Sequence, residues 1–183
     1  MTPADYLAFE RASDRKHEYV DGEVFAMAGG TRAHNLIAAN AVGELHAALL
    51  DRPCEVYGSD MKVEAERGQK YHYPDALVLC GAPVLSDAEG DAVQNPKVIV
   101  EVLSDTTECY DRGDKFASYA IIPSFSDYVL ASQHRVRVEH FQRQADGSWI
   151  FRALGPGETL VLASIGCEIA VDRLYLKVFP AKG

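Results

Sequence analysis

Two stretches, Tyr73-Pro74-Asp75-Ala76-Leu77-Val78-Leu79 and Val98-Ile99-Val100-Glu101-Val102-Leu103, decide the fold. Each reads as a strand covered on both faces, because the apolar residues run on without the alternation of a half-exposed strand. Each also carries a carboxylate where an apolar residue belongs: Asp75 opens the first run and Glu101 interrupts the second. An ionised carboxylate buried there costs several kcal/mol unless a cation pairs with it. If the two strands are neighbours, about 4.8 Å apart, both carboxylates can converge on one ion. Oxygen donors without a nearby Cys or a His pair favour Mg²⁺ or Mn²⁺ over zinc.

Outward from these strands the pattern is mixed. Thr2, Pro3 and Asp5 read as N-cap, first-turn proline and first-turn acid of a helix through Ala12. Asp21-Gly22 joins hairpin strands over 17–20 and 23–27, which Gly29-Gly30 ends. From His34 to Leu50, the residues Ile37, Ala41, Val42, Leu45 and Leu49 recur at helical spacing, with His34 at the middle of the stripe and Glu44 at its edge. Strands are expected over 54–63, 72–80 and 96–104, with polar loops over 64–70 and 81–95. A helix over 111–121 presents Phe116, Ala117, Ala120 and Ile121 on one face, and a strand over 127–131 follows. The remainder, 136–142, 149–153, 159–162 and 167–171, alternates as antiparallel hairpins added to the sheet. The expected class is α/β (α+β): one domain over 1–183, a central mixed β-sheet flanked by helices, and β-hairpins added at both ends.

The whole chain narrows the classes of function. Eighteen Lys and Arg against 27 Asp and Glu give a net charge of −9, which argues against tight constitutive nucleic-acid binding but leaves room for a local basic cleft. No apolar run approaches the roughly 18 residues of a membrane span. The start lacks a basic region followed by an apolar segment, so a cytoplasmic protein is expected. Cys54, Cys80, Cys109 and Cys167 form no C-x-x-C pair and are expected as free, mostly buried thiols.

The ordered pieces Tyr73-Pro74-Asp75, Glu101-Val102-Leu103-Ser104, Asp111-Arg112-Gly113-Asp114-Lys115, Tyr119 and Asp127-Tyr128-Val129-Leu130 resemble the Uma family of restriction-endonuclease-like proteins, a branch of the PD-(D/E)xK nuclease superfamily. Glu18-Tyr19-Val20-Asp21-Gly22-Glu23, Met27-Ala28-Gly29-Gly30 and His34 extend the resemblance across nearly the whole chain. The resemblance implies a restriction-endonuclease-like core, Asp75 and Glu101 as metal ligands, a backbone carbonyl at Val102 completing the cluster, and a further metal or supporting contact from Glu18. It also implies Mg²⁺- or Mn²⁺-dependent hydrolysis of phosphodiesters, with DNA as the expected partner and a homodimer as the expected assembly. The superfamily places a lysine two residues after the glutamate; here that position is Leu103. Lys115 is the replacement candidate, although Asp111 four residues earlier would also make it an ordinary helix-surface pair. His34 is a catalytic candidate where its helix begins, against the alternative of a hydrogen-bonded core histidine. Arg135, Arg137 and Arg143 are candidates for a basic rim, and Tyr119, four residues beyond Lys115, reads as packing, against the alternative of a hydrogen bond near the site.

Two other classes compete. One is a binding or regulatory protein on a degenerate nuclease fold, favoured by Leu103 and by the acidic balance. The other is glycoside hydrolysis by paired carboxylates; it finds little support in a chain whose one tryptophan, Trp149, lies far in sequence from both acids.

Overall fold

A computed structural model describes residues 1–86, 90 and 92–180. Helix α1 (Pro3–Ala12) begins with a full capping box, Thr2 Oγ1 accepting from Asp5 N while the Asp5 carboxylate accepts from Thr2 N. Strands β1 (His17–Val20) and β2 (Glu23–Ala26) form the expected hairpin. Its turn has positive φ at both Asp21 (49°) and Gly22 (96°), the twist that a two-residue hairpin requires. Helix α2 (Arg32–Ala48) starts from Thr31, whose hydroxyl accepts from His34 N.

The expected strand over 54–63 is two strands in different sheets, β3 (Cys54–Gly58) and β4 (Lys62–Ala65). The expected strand over 72–80 divides likewise into β5 (Lys70–His72) and β6 (Ala76–Cys80), because Pro74 cannot donate to a ladder and the chain turns there from one sheet to the other. The expected loop over 64–70 holds the end of β4 and the start of β5. Within that over 81–95 lies β7 (Ala92–Val93), while 87–89 and 91 fall outside the described residues. Strand β8 (Val98–Leu103) leads into a helical segment over 108–120, α3, made of Glu108–Tyr110, a π-helical turn Asp111–Lys115, and Phe116–Ala120. Then come β9 (Asp127–Ser132), β10 (Val138–Arg143), β11 (Trp149–Leu154), β12 (Thr159–Leu162), β13 (Cys167–Ala170) and the short α4 (Val171–Leu174).

The central sheet runs β11-β10-β9-β8-β6-β3 and is antiparallel except where β8 lies parallel to β9 across the α3 crossover. The N-terminal hairpin belongs instead to a second sheet, β2-β1-β5-β4-β7, and β12 with β13 forms a separate ribbon. On one face of the central sheet Ile37, Ala41 and Leu45 of α2 pack on Val78, Val98, Val100, Val102 and Val129. On the other, Tyr119, Ile122 and Phe125 pack on Leu77, Ile99, Leu103, Tyr128 and Leu130. All six residues of β8 are buried, and alternation turns Glu101 to the α3 side with Ile99 and Leu103.

Two expectations fail on particular residues. In α3 the predicted apolar face is partly outward: Ala117 is exposed and Ile121 is 59% exposed, while Asp111, Lys115, Ser118 and Tyr119 are buried. The π-helical turn inserts an extra residue per turn and shifts the phase of everything after it. The cysteines are not all free: Cys54 and Cys80 are direct partners across β3 and β6 and are joined by a disulfide, leaving Cys109 exposed and Cys167 buried.

Candidate metal centre

The pairing of β6 with β8 runs Ala76↔Val100, Leu77↔Ile99, so the next position places Asp75 across from Glu101. Asp75 stands just before β6, where Pro74 keeps the chain extended. Its Oδ2 accepts from Val102 N at 2.7 Å and faces His34 Nε2 at 3.3 Å. Gly30 makes this approach possible, since a Cβ there would lie 2.7 Å from His34 Nδ1. That accounts for the glycine at position 30; a Cβ at Gly29 would meet nothing within 4 Å.

Glu101 points to α3. Its Oε1 lies 2.9 Å from Lys115 Nζ and accepts from Tyr119 OH at 3.3 Å. Tyr119 therefore both packs in the core and touches the site. Lys115 Nζ lies in addition 3.0 Å from Glu18 Oε1 and 3.7 Å from Asp111 Oδ1. Its pair with Asp111 is thus one edge of a buried cluster and not a surface pair, for Lys115 is only 5% exposed. Glu18 comes from the second sheet, where its Oε1 accepts from Tyr73 N at 3.1 Å and its Oε2 faces His72 Nδ1 at 3.5 Å. The structure therefore gathers Asp75, Glu101, Lys115, His34, Glu18 and the backbone of Val102 where the two sheets and both helices meet.

One ammonium serves three carboxylates, and the charge distribution follows from that. Burial opposes ionisation of Glu18, but Lys115 and His72 outweigh it and hold the carboxyl at about 2. Burial pushes Glu101 well above the usual range, only partly offset by Lys115, with Asp111 and Asp75 adding to the rise. Burial also raises Asp111. For Lys115, burial favours loss of the proton, yet the surrounding Glu101, Glu18 and Asp111 hold it firmly charged. His34 is raised by its hydrogen bond to Asp75. His72 is lowered by burial. The carboxylates outnumber the ammonium, so burial and their mutual repulsion both favour the protonated form of Glu101 while Lys115 opposes it.

Two oxygens remain open. The hydrogen bonds to Asp75 and Glu101 use Oδ2 and Oε1; among the described residues none is made to Asp75 Oδ1 or Glu101 Oε2. Two hard oxygen donors suit Mg²⁺ or Mn²⁺, which take one or two protein carboxylates and fill the remaining positions with water or phosphate. No cluster of three His, Cys, Asp or Glu side chains in metal-binding arrangement occurs among the described residues.

Some residues were missed or misplaced from sequence. His72 and Ser118 are fully buried, with Ser118 Oγ 3.2 Å from His72 Nε2 and donating to Lys115 O at 2.8 Å. His72 lies between Ser118 and Glu18, its Nδ1 facing the carboxylate at 3.5 Å without a hydrogen bond. Buried Glu10 accepts from Tyr73 OH at 2.8 Å and His17 N at 2.9 Å, bracing the Tyr73-Pro74-Asp75 turn from α1. Of the expected basic rim, Arg137 pairs with Glu139, and Arg143 donates to the Ile122 carbonyl while its guanidinium lies over Trp149. Glu44 pairs with Arg173 on the surface.

A mixed sheet with facing carboxylates on adjacent central strands and a lysine supplied from the crossover helix defines a protein with a restriction-endonuclease-like core. The chain belongs to the Uma2 family, described as "Putative restriction endonuclease", whose model matches residues 3–172. It is 36% identical over 176 residues to the uncharacterized protein slr1290 of Synechocystis sp., covering 96% of this chain and 91% of that one. It is 35% identical over 154 residues to the uncharacterized protein sll1609 of the same organism, covering 84% and 87%. A solved structure, a "putative nuclease belonging to DUF820" from Anabaena variabilis, superposes with a TM-score of 0.77 at 14% identity over 98% of this chain and 99% of that one, a likeness of fold.

Proposed function

We propose that the protein is a divalent-metal-dependent endonuclease that hydrolyses phosphodiester bonds in DNA. The observation that carries this reading is the pair of uncommitted oxygens, Asp75 Oδ1 and Glu101 Oε2, beside a buried ammonium. Asp75 and Glu101 would hold Mg²⁺ or Mn²⁺, with the Val102 carbonyl alongside. Bound there, the ion supplies Lewis acidity toward a phosphate oxygen and lowers the pKa of water.

The chain's own groups supply the rest. Lys115, held between Glu18 and Glu101, keeps a positive charge beside the reacting phosphate and offers donors to the negative charge that develops on it. Glu18 acts chiefly on Lys115, because one of its oxygens is engaged by Tyr73 N and Lys115 and the other faces His72. His34, more exposed than Lys115 or Glu101 and raised by Asp75, can donate to a phosphate oxygen at the mouth. Cutting both strands of a duplex takes two such centres, which a homodimer would provide.

The test is plasmid cleavage with Mg²⁺ or Mn²⁺, comparing wild type with Glu101→Gln. The substitution keeps shape, removes a ligand charge, and should lower cleavage by at least about a hundredfold. Undiminished cleavage by that variant sinks the assignment. The net charge of −9 favours the alternative, a binding protein on this fold; wild type that binds DNA and cuts it with neither ion would select it.

A further inference from the structure

A second buried polar group lies along β9 from the carboxylates. Leu130 is the β9 residue opposite Glu101, and Asp127, three residues earlier, sits about 10 Å away along the strand. Asp127 is 0% and His140 1% exposed. Asp127 Oδ1 lies 2.7 Å from His140 Nε2, while Oδ2 accepts from the Ser164 hydroxyl. With Nε2 turned to Asp127, Nδ1 is the uncommitted nitrogen, an acceptor in the tautomer that donates from Nε2. Among the described residues Nδ1 has no protein partner.

His140 lines a cavity of about 270 Å³ between the face of β10 and β11 and the edge of β12. Gln142, Arg152 and Leu154 continue its floor, and Thr159 and Val161 form its wall. Arg152 is steadied by donating to Gln142 Oε1 at 2.9 Å. The site therefore combines a guanidinium, which only donates and matches a carboxylate or phosphate, with apolar walls and one buried acceptor. Nothing in the proposed cleavage chemistry uses any of these groups.

We propose that this cavity binds a small organic anion of about ten heavy atoms, the size of roughly nine waters. Arg152 takes its carboxylate or phosphate, Leu154 and Val161 cover its apolar body, and His140 Nδ1 accepts from a hydroxyl or N–H at its far end. The class is narrower than "anion", because Arg152 alone would hold inorganic phosphate equally well.

The test is amide-shift NMR titration of the full chain with para-hydroxybenzoate, phenyl phosphate, the neutral para-hydroxybenzyl alcohol and inorganic phosphate, each to about 10 mM. Saturable shifts centred on Gln142, Arg152 and Val161 are expected for one or both organic anions, and which of the two binds more tightly identifies the anionic group. The neutral alcohol and inorganic phosphate should bind at least about tenfold more weakly. Arg152→Gln should weaken the organic anions about tenfold. Val161→Trp, at a position 46% exposed, should block the cavity while leaving the remaining spectrum intact. No saturable shift, equal binding of the alcohol or of inorganic phosphate, or indifference to Arg152→Gln would each overturn the proposal. None of these outcomes bears on the metal centre.

Discussion

Replacing Lys115 by methionine tests the buried charge cluster directly. The ammonium lies 2.9, 3.0 and 3.7 Å from Glu101, Glu18 and Asp111. At an effective dielectric of about 20, one such pair near 3 Å is worth roughly 5 kcal/mol before desolvation is set against it. Deleting one partner of a buried ion pair costs about 3 to 5 kcal/mol, and the same figure applies here because the stranded carboxylates can limit the penalty by taking up protons. The pH dependence follows from that limit. In the wild type Glu18 is held at about 2, so its contribution is fully present above 4.5 and is lost as pH falls from there toward 2. Without Lys115 the folded-state carboxyls rise above 4.5, and stability is then lost as pH climbs. Urea unfolding followed by circular dichroism should therefore give a deficit of about 3 to 5 kcal/mol near pH 8 that shrinks as pH approaches 5. A deficit below about 1 kcal/mol near pH 8, or one equal at both pH values, refutes the idea that Lys115 neutralises this cluster.

Three further outcomes are expected. His34 owes its raised pKa to Asp75 against the opposing effect of burial, so Asp75→Asn should bring its ring-proton NMR titration to 6.5 or below; an unchanged midpoint would refute the contact. The stability that this pairing confers is fully present below 6.5 and fades as pH rises through the raised folded value. Gly30→Ala sets a Cβ against the His34 ring and should slow cleavage by about tenfold to a hundredfold with the fold intact by circular dichroism; wild-type rates would remove His34 from the site. Alkylation of the unfolded chain without reductant should label two cysteines and with reductant all four, and reduction should lower stability by about 3 to 4 kcal/mol for a 26-residue separation; four labels without reductant would contradict the Cys54–Cys80 bridge.

What the sequence made legible was local or electrostatically conspicuous. The capping box at Thr2 and the Asp21-Gly22 turn depend on neighbouring residues and appear as expected. Asp75 and Glu101 stood out because a charge in a buried strand has few stable explanations, and they do meet across β6 and β8. What stayed hidden depends on the third dimension. Nothing in α1 distinguishes Glu10 from a solvated acid until Tyr73 OH and His17 N converge on it. Gly58-Ser59-Asp60 and Pro74 lie inside stretches expected as single strands, and nothing local shows that the chain changes sheets at each. The cross-strand register that brings Cys54 to Cys80 is likewise invisible in their spacing. In α3 a period of 3.6 was the wrong ruler, because the π-helical turn over Asp111–Lys115 moves the buried face onto Asp111, Lys115, Ser118 and Tyr119.

That same turn explains how the site keeps its cation without a lysine after the glutamate. Leu103 is 4% exposed and packs with Tyr119 and Ile99, on the same face of β8 as Glu101. An ammonium at position 103 would displace an apolar contact within that cluster. Lys115 instead reaches Glu101 from the helix packed over this face, and the π-helical turn buries it on the same side as Asp111 and Ser118. Ser118, donating to the Lys115 carbonyl, and Glu18, paired with its Nζ, hold this lysine at both ends, with His72 lying between them. A lysine on a flexible side chain positions charge poorly unless its own surroundings are rigid. In this protein those surroundings come from the second sheet. The N-terminal hairpin is therefore part of the site's construction: β1 supplies Glu18, and without it Lys115 would be left with Glu101 and Asp111 as its carboxylate partners.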